Sequence, residues 1–180
     1  MLNKFFRKLK EKKGASMVEF TGAMFLFVIL VVAGYEFFMM GNKYMTVSNY
    51  ANDIARIISI QGGVDTITPN GFQGSGTQFN EYKTSADIAD SIAKLGDKIG
   101  QDPSDISIYL KYQPDSTSSF VTKRINAGSS IEIPYGDRFE VNVHYVFRLE
   151  LLNNIVKLAD SHIIERTKGG VSEFEHNYEA

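Results

Sequence analysis

The sequence predicts an α+β protein. One long N-terminal helix, membrane-spanning in its first half and amphipathic in its second, packs on a C-terminal antiparallel β-sheet of about four strands with one additional helix. Three observations predict this. Phe20–Tyr35 is a run of sixteen residues without a charge, which as an α-helix covers about 24 Å. Beyond it, Tyr44, Val47, Ala51, Ile54 and Ile58 recur at helical spacing, the pattern of a helix with one buried face. Later in the chain, apolar residues from Ile106 to Tyr112 and from Phe139 to Leu149 alternate with polar ones, the period of a half-buried strand.

Composition bounds what such a chain does. With 180 residues, 43% of them hydrophobic and 22% charged, it is too apolar to be disordered and has room for one ordinary domain plus one membrane-length segment. A net charge of −2 supplies no global basic field, so no nucleic-acid partner is expected. The absence of cysteine excludes disulfides, thiolate metal sites and cysteine nucleophiles.

The charge is unevenly placed. Residues 1–14 hold Lys4, Arg7, Lys8, Lys10, Lys12 and Lys13 against Glu11, a local +5 that leaves −7 for the rest of a chain whose total is −2. Cations ahead of an apolar span hold the N-terminus in the cytoplasm and send the remainder across; Lys8, Lys10, Lys12 and Lys13 stand closest to the span. Continuing the helix through Phe37–Gly41 brings the apolar length to the ~30 Å of a hydrocarbon core. Asn42, Lys43, Asn49, Asn52, Asp53 and Arg56 form the polar face of the second half, and Gln61-Gly62-Gly63 stops the helix. One helix from near Ser16 to Ile60 is expected. A cleaved signal peptide, cut near Val31–Gly34, is the competing reading; the continuous helical periodicity speaks against it.

Two carboxylates interrupt this apolar stretch. Glu19 stands at its mouth, where a charge in lipid is costly without a partner; the alternative is a hydrated carboxylate favoured by the helix N-terminus. Glu36 is most simply the outer boundary of the span, held by water.

The chain therefore divides into a basic leader at 1–14, a long helix at 15–61 with its membrane or filament-core segment at 20–41, and an α+β head at 62–180. In the head, the stretch from Gly62 to Thr84 reads as a loop with a short strand near Val64–Thr68. Its glycines at 71–76 lack the Lys-Thr/Ser of a phosphate loop. Thr84 or Ser85 caps a helix over Ala86–Ile99, with Ile88, Ile92, Leu95 and Ile99 on one face. A turn at Asp102–Asp105 opens the strand Ile106–Tyr112. Short strands follow at Phe120–Ile125 and Ser130–Ile133, a turn at Pro134–Asp137, and the long strand Phe139–Glu150. Leu151–Ala159 is an apolar patch, read as one or two helical turns or an exposed hydrophobic tip; in an anchored component that does not polymerise, Leu151–Leu158 would be a docking site. Ser161–Thr167 is a last strand ending at Gly169-Gly170, and Ser172–Ala180 is an acidic tail.

Nothing in the sequence draws catalytic groups together. His144 falls on the polar face of a strand, His162 on an edge strand and His176 in the tail, so neither a metal centre nor an enzyme activity is expected, and no cofactor is called for. Asp102, Asp105 and Asp115 fit no calcium loop and serve turns instead.

Gly14-Ala15-Ser16-Met17-Val18-Glu19-Phe20, the Gly34–Phe37 element and the segment from Ser48 to Arg56 together resemble TadE/TadG-like minor pilins, the tight-adherence branch of the type IV pilin-like proteins. Asp53 and Ile54 stand where small residues are usual, and Thr21-Gly22 replaces the commoner apolar pair. The likeness covers residues 12–60, with a looser counterpart at Val141–Glu175. It implies cleavage after Gly14 by a prepilin peptidase and a new, methylated N-terminus at Ala15. It also implies that this amine pairs with Glu19 in a filament. The implied partners are other pilin-like subunits, the peptidase, an inner-membrane assembly platform and the membrane. The implied location is the cytoplasmic membrane before assembly and a cell-surface filament or secretion pseudopilus after it. A non-polymerising anchored component of a secretion or adhesion apparatus, and a secreted binding protein, are the alternatives.

Overall fold

A computed structural model describes residues 2–69, 72, 81–114, 118–147, 151 and 162–173, with side chains from residue 17 onward except that of His162. Helix α1 runs over Leu2–Gln61, longer than the expected 16–60 because the leader is helical too. Its Lys, Leu, Phe and Arg residues are adequate helix formers, and Gly14 costs only about 1 kcal/mol within such a run. The chain divides into two units: Met1–Gly41 with Arg148–Asp160, and Asn42–Phe147 with Ser161–Ala180.

In the second unit the stripe on α1 is buried from Val47 to Ile58 as its spacing dictates, whereas Tyr44, its first member, is 37% exposed. Val47, Ala51, Ile54 and Ile58 are at most 2% exposed, whereas Asn49, Asn52, Asp53 and Arg56 face outward. Ala55 and Ser59 are buried as well, so the covered face is broader than the stripe. Helix α2 spans Ser85–Ile99. Thr84 caps it in a reciprocal box, its hydroxyl accepting from the Asp87 amide while the Asp87 carboxylate accepts from the Thr84 amide at 2.9 Å. Gly100, at φ 63°, closes the other end in the left-handed conformation that glycine adopts freely.

The sheet strands are β2 (Ile106–Tyr112), β3 (Val121–Arg124), β5 (Arg138–Phe147) and β6 (His162–Val171), antiparallel in the order β3-β2-β5-β6. The expected four-stranded sheet is present. Ile131–Glu132, β4, does not join it; it pairs instead with a two-residue β1 (Gly63–Val64), shorter than the expected Val64–Thr68. Ile106, Ile108, Leu110 and Tyr112 of β2 and Phe139, Val141, Val143, Tyr145 and Phe147 of β5 are buried. With the α1 stripe and Ile88, Leu95 and Ile99 of α2 they make the core; Ile92 is only half-buried.

The opposite face of the sheet is polar and cross-linked. Lys111 and Glu140 pair at 3.0 Å, His144 and Glu165 at 3.2 Å, and the Tyr109 and His144 rings lie 4.9 Å apart. Such opposite pairs across neighbouring strands are a favourable use of a solvent-facing sheet surface.

Two further boundaries, at the C-terminal end, differ from the sequence reading. Strand β6 does not stop at the glycine pair but continues to Val171. A Cβ at Gly170 would meet the Phe139 ring within 2.5 to 3.1 Å, and Gly170 is the register partner of Phe139. The glycine is there to seat an aromatic ring, not to end a strand. Likewise the tail begins as part of the fold: Ser172 is 1% exposed and its amide donates to the Asp137 carbonyl, while the Glu173 amide donates to the Ser59 carbonyl. The rest of the tail, and Leu152–Ala159 of the apolar connection, lie outside the described residues.

Candidate assembly site on the N-terminal helix

From Met17 to Met39 the exposure of α1 is inverted relative to a soluble helix. Phe20 is 67% exposed, Leu30 71% and Phe38 67%, while Glu36, one of the two carboxylates in this stretch, is 6% exposed; the other, Glu19, is exposed. Over its most apolar window, of mean hydropathy 2.2, only 6% is buried. A helix at the core of a soluble protein would be covered by its own chain. This one is covered by almost nothing, and it is the one helix among the described residues long and apolar enough to cross a membrane. Exposed apolar surface of this extent marks a lipid or protein contact.

Glu36 corrects the reading of a hydrated boundary. Its Oε1 accepts a hydrogen bond from the Leu151 amide at 2.6 Å, and Leu151, in helical conformation, belongs to the same unit. An ionised carboxylate is a strong acceptor for a backbone amide. The carboxylate thus reaches the chain where it leaves the long strand. The sequence held a hint of this: an apolar connection, Leu151-Leu152, follows a strand in a protein with an apolar span. No pattern rule pairs residues so far apart.

Glu19 is exposed. Ala15 precedes it by one helical turn, the spacing at which two residues share a helix face, so cleavage after Gly14 would free an amine on the Glu19 side of the helix. In the uncut chain residue 15 carries a peptide bond, and its backbone, like that of Gly14 and of Lys8, Lys10, Lys12 and Lys13, is helical. Cutting there requires the helix to open locally. Thr21 donates to the Met17 carbonyl at 2.8 Å, which satisfies its hydroxyl within the apolar stretch.

The residues considered for chemistry are otherwise engaged. His144 pairs with Glu165, and Asp102 caps the 3-10 turn Pro103–Asp105, its carboxylate accepting from the Ser104 amide at 2.8 Å. His162 lies on the outermost strand of the sheet, and His176 and Asp115 fall outside the described residues. Among the described residues no group of three or more metal-ligating side chains is present.

An uncovered apolar helix running into an α+β head defines a membrane-anchored or helix-bundling protein. Residues 14–56 match the family model of TadE-like protein. The match supports the TadE/TadG-like resemblance, and with it a pilin-like component associated with the tight-adherence pilus. It spans about a quarter of the chain and ends within α1, short of Val141–Glu175. No curated protein and no solved structure matches the chain.

Proposed function

We propose that this protein is a pilin-like subunit, cut after Gly14 by a prepilin peptidase and assembled through α1 into, or at the base or tip of, a pilus or secretion pseudopilus. The observation that carries this reading is the inverted exposure of residues 17–39, which leaves an apolar helix in need of lipid first and of neighbouring helices afterwards. The match over residues 14–56 supports it. Cleavage removes the +5 leader and leaves on Ala15 an amine that is cationic at neutral pH. Within a filament this amine meets Glu19 of its own or a neighbouring subunit. Two opposite charges in a low-dielectric core cost far less paired than apart, so pairing selects subunits that are cut and in register. The helices join head to tail, a heterologous contact that grows without closing. The role is assembly and carries no catalytic step.

Intact mass of the mature protein tests the processing step. Loss of residues 1–14, with or without one methyl group, is the expected result. Loss to about residue 34 means a signal peptidase and a secreted protein, and the uncut length means a simple anchor. Glu19→Gln separates cleavage from pairing: the variant is expected to be cut normally yet to be missing from filaments, and normal assembly of the variant defeats the pairing.

A further inference from the structure

The two edges of the main sheet are not alike. On β3 the outward-facing peptide groups are those of Thr122 and Arg124, since Val121 and Lys123 lie in the ladder with β2. The Arg124 carbonyl is already taken by the Ser129 hydroxyl at 3.3 Å. This edge is short and charged, as protected edges are, and one of its four outward peptide groups is taken. On β6 the Ser172 amide bonds inward to Asp137, which sets the alternation. Residues 164, 166, 168 and 170 bond to β5, and Ile163, Glu165, Thr167, Gly169 and Val171 point outward. The Val171 carbonyl receives the Ser59 hydroxyl. The outward peptide groups of Ile163, Glu165, Thr167 and Gly169 have no partner among the described residues.

This open edge borders a cavity of about 380 Å³ between α1 and β6, lined by Asn52, Arg56, Ser59, Lys168, Gly169 and Glu173 among others. An edge strand beside a helix, with a groove between them, is the geometry in which an extended peptide adds as a further strand. Gly169 presents no side chain to hinder its approach. The helix-side face of β6 carries two cations, Arg166 over the Tyr44 ring at 4.1 Å and bonded to Ser48, and Lys168, which lines the groove together with Glu173. The other face offers Ile163, 72% exposed, and Thr167.

A second copy of β6 is a poor occupant. Every antiparallel self-pairing that overlaps most of the strand sets Glu165 against Glu165, Arg166 against Arg166, Arg166 against Lys168, or Lys168 against Lys168, and like charges opposite one another are destabilising.

We propose that the β6 edge binds an extended segment of a partner protein by strand addition, the segment carrying carboxylates on its helix-facing side and apolar or small residues on the other. This inference concerns the head and stands independently of the processing proposed above.

The test uses the full chain in detergent micelles and a seven-residue peptide of alternating glutamate and valine, with alternating lysine and valine as its counterpart. Amide exchange is followed residue by residue. The acidic peptide is expected to slow exchange at Glu165, Thr167 and Gly169 and to leave Arg166 and Lys168 unchanged, and the basic peptide to do nothing. Thr167→Pro removes an outward N–H while sparing the ladder to β5, and is expected to weaken binding roughly tenfold for the backbone bond or bonds lost. Should that variant misfold, Lys168→Glu is expected to weaken binding of the acidic peptide with the fold intact. The proposal is overturned by equal binding of the basic peptide, or by acidic-peptide binding that leaves those three amides exchanging freely. Protection without peptide also overturns it: constant protection means a covered edge, and protection that rises with protein concentration means self-pairing.

Discussion

The two halves of α1 are one helix in two environments. From Val47 to Ile58 the apolar residues are covered by the domain that the helix helps to build, and the charged ones face out. From Met17 to Met39 the apolar residues are uncovered, and the carboxylate at Glu36 is enclosed. The covered half draws its stability from its own chain. The uncovered half can draw it only from lipid or from other molecules. A single element can thus serve as core and as interface, provided that its apolar residues change from a stripe to a full girdle at the boundary.

The contrast is broken most sharply in the covered half. Ile58→Ala is expected to lower the head's stability by about 2–5 kcal/mol through lost burial and the cavity left behind, read as a fall in the urea midpoint in detergent. Leu30→Ala, in the uncovered half, is expected to leave that midpoint unchanged; a matching fall would mean that residues 17–39 pack on the head after all.

Glu36→Ala is the next largest effect. It removes the acceptor of the Leu151 amide and is expected to cost about 1–3 kcal/mol locally if that amide stays out of water. Faster exchange at Leu151, with the head's urea midpoint unaltered, is the predicted signature.

The caps of the head give a smaller effect with a defined pH dependence. Thr84→Ala removes the reciprocal cap of α2 and is expected to cost about 1 kcal/mol. The hydrogen bonds from the Thr84 side chain and backbone hold the Asp87 carboxyl below its usual 3.8. A carboxyl depressed in the folded state contributes stability above its unfolded value, and the contribution is lost as pH falls through the folded one. Melting curves below pH 4 are expected to show this loss, and Asp87→Asn to remove that share of it.

The smallest effect is at Tyr145, whose hydroxyl is buried with no hydrogen-bond partner among the described residues. Burial, with Tyr44 nearby, pushes it up to about 12. Burial likewise pushes Tyr50 up to about 12, against a lowering bond to Ser91. Both contributions are complete below pH 10 and disappear as pH rises toward 12. Tyr145→Phe is expected to be neutral or slightly stabilising at pH 7 and to flatten the alkaline limb of the stability profile; a clear loss at pH 7 would reveal a partner for that hydroxyl.

Much of this arrangement is legible in the residues alone. Period 3.6 located α1 and α2, period 2 located β2 and β5, and the Thr84-Ser85 pair located the start of α2, with the structure choosing Thr84 as the cap. These are local signals, set by backbone geometry within one or two turns. Local signals misread the glycine pair in β6, because a glycine that seats the Phe139 ring and a glycine that ends a strand have the same neighbours in sequence. They placed a strand at β4 but did not assign its partner, β1, which is some seventy residues upstream.

What the sequence by itself determined is the character of each surface: an apolar girdle, a stripe, an alternating strand, a basic leader. The tertiary structure alone decided what each surface meets. It brought the Leu151 amide to Glu36, took the Arg124 carbonyl of β3 with Ser129 and left the outward peptide groups of Ile163, Glu165, Thr167 and Gly169 without a partner among the described residues. Such meetings depend on where the chain returns after many residues, and that follows from the packing of the whole chain.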